Sequence, residues 1–218
     1  MVVFLVILTI ILFLTVNYFV SKREKTASNV TTKLSHTPLI NIFKSIPSGL
    51  FLQPTFTWTK IMDSGKVMVG LQPALLGLMG VPDKIEMLSE NDFVKKGDPI
   101  FKITHQDKEL KIKSPIEGKL TAVNAIEADE NTLPILGKRW FYTVEAENIS
   151  AEMQNWYVAE KAQEWLEEKF QKIKVFLMGK SQHAELGVTM ADGGDLPVGV
   201  LSKFDQKVWD DFETEICK

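Results

Sequence analysis

Val94-Lys95-Lys96-Gly97-Asp98-Pro99 and, a short interval later, Ser114-Pro115-Ile116-Glu117-Gly118-Lys119-Leu120 frame the part of this chain that decides its fold. Between them Ile100 to Thr104 and Glu109 to Lys113 read as two strands about a tight hairpin. Phe101 and Ile103 alternate with Ile100 and Lys102, and Leu110 and Ile112 alternate with Glu109, Lys111 and Lys113. A period of two buries one face of a strand pair and wets the other. Gln106, Asp107, Lys108 and Glu109 at the tip have the composition of a solvated turn.

Working outward, the same pattern of short apolar runs broken by Gly, Pro and Asp starts at Ile46-Pro47-Ser48-Gly49 and marks an all-β unit. Further strands are expected near Phe56 to Ile61, Lys66 to Gly70, Lys84 to Leu88, Lys119 to Val123 and Trp140 to Glu145. Gln72 to Gly80 reads as a short inserted helix, with Pro73 suited to its first turn and Gly80 to its stop. From Ile149 to about Met178, Met153, Trp156, Tyr157, Trp165, Leu166, Phe170, Ile173 and Leu177 recur at helical spacing. This predicts one long amphipathic helix over 149–179, with Ser150 able to cap it. Residues 180–218 are punctuated by glycines and read as an extended docking tail with a last helical turn or two. Its apolar cluster Val208, Trp209 and Phe212 either folds back on the domain or anchors a partner.

The N-terminal segment has a different character. Val2 to Val20 is almost continuously apolar, and at 1.5 Å per residue it reaches roughly the ~30 Å of a bilayer core. Neither a basic segment before it nor a small-residue cleavage site after it marks a removable signal peptide. Lys22, Arg23 and Lys25 follow the run, so the positive-inside rule places what comes after in the cytoplasm. Residues 1–21 are thus expected to be a single-pass anchor contacting the lipid bilayer through residues 2–20, and 22–45, rich in Ser, Thr, Asn and Lys, a juxtamembrane linker.

The 218 residues carry 25 basic and 28 acidic side chains, a formal net charge of -3. That balance argues against a nucleic-acid partner, whose phosphates demand a basic face. The single cysteine, Cys217, excludes an intrachain disulfide and a cysteine metal cluster. His36, His105 and His183 have no ligand spacing, and Asp192-Gly193-Gly194-Asp195 lacks the alternating ligands of a calcium loop, so neither metal nor cofactor is expected. No P-loop, dinucleotide fingerprint or nucleophile elbow is present, and the tail carboxylates Asp192, Asp195, Asp210 and Asp211 have no partner base. The chain reads as a protein that is not an enzyme.

Several pieces together resemble the H protein of the glycine cleavage system, a lipoyl carrier of the biotinyl/lipoyl family. Besides the two framing segments, Phe56-Thr57-Trp58 stands at the family's His-x-Trp, Gly70-Leu71 at the Gly before its first helix, Val123-Asn124 at its Asn-Glu segment, and Gly137-Lys138-Arg139-Trp140 at its Gly-x-Gly-Trp. The resemblance implies a mainly β fold over 46–148, a lipoyl-type barrel-sandwich hybrid, with the short helix inserted and the long helix outside. It also implies one lysine at the hairpin tip, acylated by lipoate. Laid without gaps, that degenerate carrier position falls on Asp107, while Phe56 and Ala125 replace the family's histidine and glutamate. The chain is still more similar to membrane-anchored bacterial H-protein-like proteins that lack the carrier lysine.

A carboxylate cannot form the amide that holds lipoate. The reading that follows is a non-catalytic, non-lipoylated subunit, docking other protein subunits of a cytoplasmic-membrane complex, with a redox setting suggested by its lipoyl relatives. The alternative is a lipoyl or acyl carrier modified at Lys108, one residue past the expected position.

Overall fold

The computed structural model describes residues 39–44, 49–125, 137, 139–180 and 196–218, all within one compact unit spanning Thr37–Lys218. The expected span at residues 2–20 lies outside the described residues. Among those described, no helix is long and apolar enough to cross a membrane.

The fold is mainly β, with several helices. Helix α1 (Leu39–Lys44) is followed by strands β1 (Phe51–Leu52), β2 (Thr57–Ile61) and β3 (Val67–Leu71), then helix α2 (Pro73–Met79) and strand β4 (Lys84–Met87). Strands β5 (Phe93–Val94), β6 (Pro99–His105), β7 (Lys108–Lys113), β8 (Gly118–Val123) and β9 (Trp140–Ala146) complete the sheets. One sheet has the order β1-β2-β3-β9-β8-β5 and the other the order β4-β6-β7, and every pairing is antiparallel.

The two sheets meet through aromatic rings. Phe101 of β6 packs edge-on against Phe141 and tilted against Tyr142 of β9, with centroids 5.3 and 5.2 Å apart. The Tyr142 hydroxyl donates to Ile100 O at 3.0 Å and accepts from Leu88 N at 2.6 Å. A buried phenol needs such partners, and burial pushes its pKa up beyond the usual range. Gly70, opposite Trp58 in the ladder, leaves room for the indole to lie across the neighbouring strand, where an added Cβ would overlap the ring. The indole nitrogen donates to Gly137 O at 2.9 Å.

The strands and the short helix fall where the alternation puts them, with Pro73 in the first turn of α2 and Gly80, at φ 89°, ending it. Three expectations need correction. The end of the supposed linker is helix α1, whose Leu39 and Phe43 are fully buried; Phe43 packs edge-on against Phe170 at 5.0 Å.

The single helix from Ile149 is interrupted. Helix α3 (Ile149–Glu152) and a 3₁₀ turn (Met153–Asn155) precede an extended break, and helix α4 runs over Ala159–Lys180. Tyr157 leaves the helix because its backbone pairs with the edge strand β1: Leu52 N donates to Tyr157 O at 2.8 Å and Tyr157 N to Leu52 O at 3.0 Å. Closing a bare sheet edge outweighs continuing one helical turn. The helical start is capped by Asn148, whose Oδ1 accepts from Ala151 N, rather than by Ser150.

The tail is the third correction. After a 3₁₀ turn (Val200–Lys203) it forms helix α5 (Gln206–Glu215), capped by Asp205, whose Oδ1 accepts from Val208 N at 3.0 Å. Trp209 and Phe212, three apart on one face, are fully buried in this chain's own core, and Ile216 and Cys217 behind them are almost so. They are therefore no surface anchor for a partner.

Candidate functional site

Strands β6 and β7 are joined by Gln106 and Asp107 alone, with His105 paired to Lys108. Both turn residues have positive φ, 49° and 62°, the backbone of a type I′ turn. This turn follows the right-handed twist of the strands. Asp107, the residue expected at the carrier position, is exposed at the tip. The Gln106 amide donates to Asp83 Oδ2 at 2.6 Å, which fixes the turn to the start of β4.

Lys108 opens β7 instead of standing on the tip. It is half-buried, its Nζ donates to Ser202 O at 2.9 Å, and the same ammonium lies 6.0 Å from the Trp209 ring centroid. Trp209 itself is fixed by its Nε1 donating to Leu201 O at 2.9 Å, with His105 stacked on it at 6.5 Å. The hairpin tip and the 3₁₀ turn before α5 are thus bound into one structure. Val208, on the same helix, is only partly covered.

Helix α5 lies along the outer edge of β7 and satisfies its peptide groups with side chains. Glu109 N donates to Gln206 Oε1 at 2.8 Å, Gln206 Nε2 returns a bond to Glu109 O at 3.0 Å, and Lys111 N donates to Glu213 Oε2 at 3.1 Å. An edge strand's unpaired N–H and C=O groups are a template for foreign strands. Here a helix of the same chain occupies them.

The solvent face of the small sheet carries a ladder of charge. Lys84 Nζ and Glu86 Oε1 are 2.8 Å apart, Glu86 Oε2 is 3.8 Å from Lys102, and Lys102 is 2.7 Å from Glu109. The hydrogen bond from Lys84, and then the charge of Lys102, hold the Glu86 carboxyl below its usual pKa. The bond to Glu109 raises Lys102. These groups are solvated, so their worth to stability is small.

A buried pair escaped the sequence reading. Lys169 sits on the apolar face of α4, almost fully buried, with its Nζ 5.5 Å from both the Phe56 and the Trp165 ring centroids. Burial lowers its pKa to about 8, while nearby Cys217 opposes the shift. Burial likewise pushes the Cys217 thiol far up. A lysine three residues after Leu166 and directly before Phe170 is the only sign of this in the sequence. Phe56 has φ 58°, unusual for a bulky residue, and its ring stacks on Phe212 of the tail at 6.0 Å.

Among the described residues no group of three or more His, Cys, Asp or Glu could hold a metal ion. His36, His183 and the Asp192 to Asp195 segment lie outside them.

No protein-family model matches the chain. It is 25% identical over 126 residues to a probable glycine cleavage system H protein of Thermococcus gammatolerans, covering 56% of this chain and 92% of that protein. It is 27% identical over 106 residues to the glycine cleavage system H protein of Stenotrophomonas maltophilia, covering 47% and 81%. A crystal structure of the H protein from Mycobacterium marinum aligns with a TM-score of 0.42 at 17% identity, over 50% of this chain and 97% of that one. Over about half its length, then, the chain is similar to glycine cleavage H proteins at low identity.

Proposed function

We propose that this chain is a non-catalytic, non-lipoylated, H-protein-like subunit of a bacterial cytoplasmic-membrane complex. Residues 2–20 anchor it, its folded domain lies in the cytoplasm, and it serves the complex as a structural or docking module. The observation that carries the loss of carrier chemistry is the exchange at the turn: a carboxylate, Asp107, stands at the exposed tip, and the adjacent amine of Lys108 is engaged by Ser202 O. Acylating Lys108 would remove its charge and pull it from that carbonyl and from Trp209, and a carrier arm needs an amine free to swing. The similarity to H proteins supports a carrier-like shape that outlasts the chemistry, since function resides in the site and not in the fold. The anchor rests on the apolar run and the basic residues after it.

Intact-mass measurement on the chain isolated from native membranes tests this. The expected result is an unmodified Lys108, a chain that stays in the membrane fraction after washing at high pH, and a domain spared by protease added to intact cells. A lipoyl or acyl adduct on Lys108 would establish the carrier reading instead, and a domain digested from outside would overturn the topology.

A further inference from the structure

The small sheet has two edges, and they are treated differently. Helix α5 bonds the outer peptide groups of β7, whereas among the described residues nothing bonds those of β4. The phase of the ladder shows which groups these are. A two-residue hairpin begins with a hydrogen-bonded pair, here His105 with Lys108, and such pairs alternate along an antiparallel ladder. Ile103 thus turns its peptide groups to Leu110, and Lys102 and Thr104 turn theirs to Glu86 and Lys84. The bonds from Glu109 and Lys111 to α5 have this same phase. Ile85 and Met87 therefore direct their N–H and C=O groups away from β6, along an edge that no described residue bonds.

Charge at an edge usually discourages pairing, yet Lys84 and Glu86 flank Ile85 with opposite signs. Two antiparallel copies of β4 can register symmetrically in few ways. Centred on Ile85, the free peptide groups of Ile85 face their own copies, and Lys84 of each chain lies across from Glu86 of the other. Centred on Glu86, the two Glu86 carboxylates oppose each other, which is destabilising. Between these two registers the charges select the one centred on Ile85.

We propose that β4 is a self-recognition edge, by which two copies of this chain pair antiparallel about Ile85 and join their small sheets into one. The pairing is isologous, so it closes at two subunits, and the occupied β7 edge keeps it from extending into a fibre.

The test uses the full-length chain in mild detergent, with its mass followed by sedimentation equilibrium over a range of concentration. Wild type should approach twice 24.6 kDa, and the Ile85 and Met87 amides should exchange more slowly as concentration rises. Lys84→Glu and Glu86→Lys, each placing like charges across both contacts, should each weaken self-association by about tenfold or more. Mixed one to one, the two variants should pair with each other, because every cross-strand contact is then Glu against Lys. Loss of folding cannot imitate that rescue. A wild type that remains monomeric at every concentration overturns the proposal and leaves the edge to a foreign strand. So does a dimer indifferent to either reversal, or a mixture that fails to pair.

Discussion

The Lys108 ammonium donates to the carbonyl oxygen of Ser202, 94 residues further along the chain and 2.9 Å away. One bond thereby joins the hairpin to the tail, and it sets what each should do when altered.

Lys108→Met removes that donor and the ammonium beside Trp209. The loss should be about 1 to 3 kcal/mol in urea unfolding, since a hydrogen bond made by a charged group is worth about 1.5 to 3 kcal/mol and a partly exposed cation–π contact about 0.5 to 1, the two not being additive. Lys108→Arg should recover part of it. An unchanged midpoint for Lys108→Met would show the contact to be energetically idle.

Trp209→Ala should destabilise the whole domain by about 3 to 5 kcal/mol, the usual cost of emptying a buried aromatic site. Gln206→Ala leaves the core intact but uncovers the N–H and C=O of Glu109 on β7, so its effect should be local: faster amide exchange at Glu109, with Ile103 and Leu110 unaffected. Exchange measured residue by residue separates the two outcomes.

Lys169 is held neutral more readily in the folded chain, at a pKa of about 8 against an ordinary 10.5, chiefly through burial. Between those values the unfolded state binds more protons than the folded one, so this group's contribution to stability rises with pH over that window. Below about 8 the buried charge is a standing cost. Lys169→Met should therefore unfold at higher urea than wild type at pH 7, and the gap between them should narrow as pH approaches 10.5. A gap that widens with pH would refute the sign.

Gly70→Ala places a methyl group in the Trp58 indole. Neither the strand nor a ring fixed by Gly137 O can move cheaply, so the variant should lose about 1 to 3 kcal/mol, as overpacked sites do. Thermal unfolding followed by tryptophan fluorescence measures it.

What could be read from sequence was what depends on near neighbours. The alternation of Leu110 and Ile112, the proline and glycine bracketing α2, and the count that puts Asp107 at the tip are local, and each has its place in the fold. The interruption before α4 is not local: Trp156 and Tyr157 sit at helical spacing, but pairing with Leu52, a hundred residues earlier, takes them out of the helix. The clamp on Lys108 was hidden for the same reason. Trp209 and Phe212 left two alternatives open, since an apolar pair on a tail looks alike whether it packs at home or abroad. What decides between them lies far off in the chain: Phe56 and Phe176 pack on Phe212, and Leu201 O holds the Trp209 indole, so both rings are buried at home.

The closing of β7 by α5 also fixes an order of events during synthesis. Both sheets of the domain emerge from the ribosome before Gln206 and Glu213 exist to cover Glu109 and Lys111, and domains begin to fold as they emerge. For that interval the β7 edge of the nascent small sheet is bare, and the pocket destined for Trp209 is empty. A slow stretch of translation late in the message would prolong this state, and a chaperone that recognises unpaired strands would find its client there.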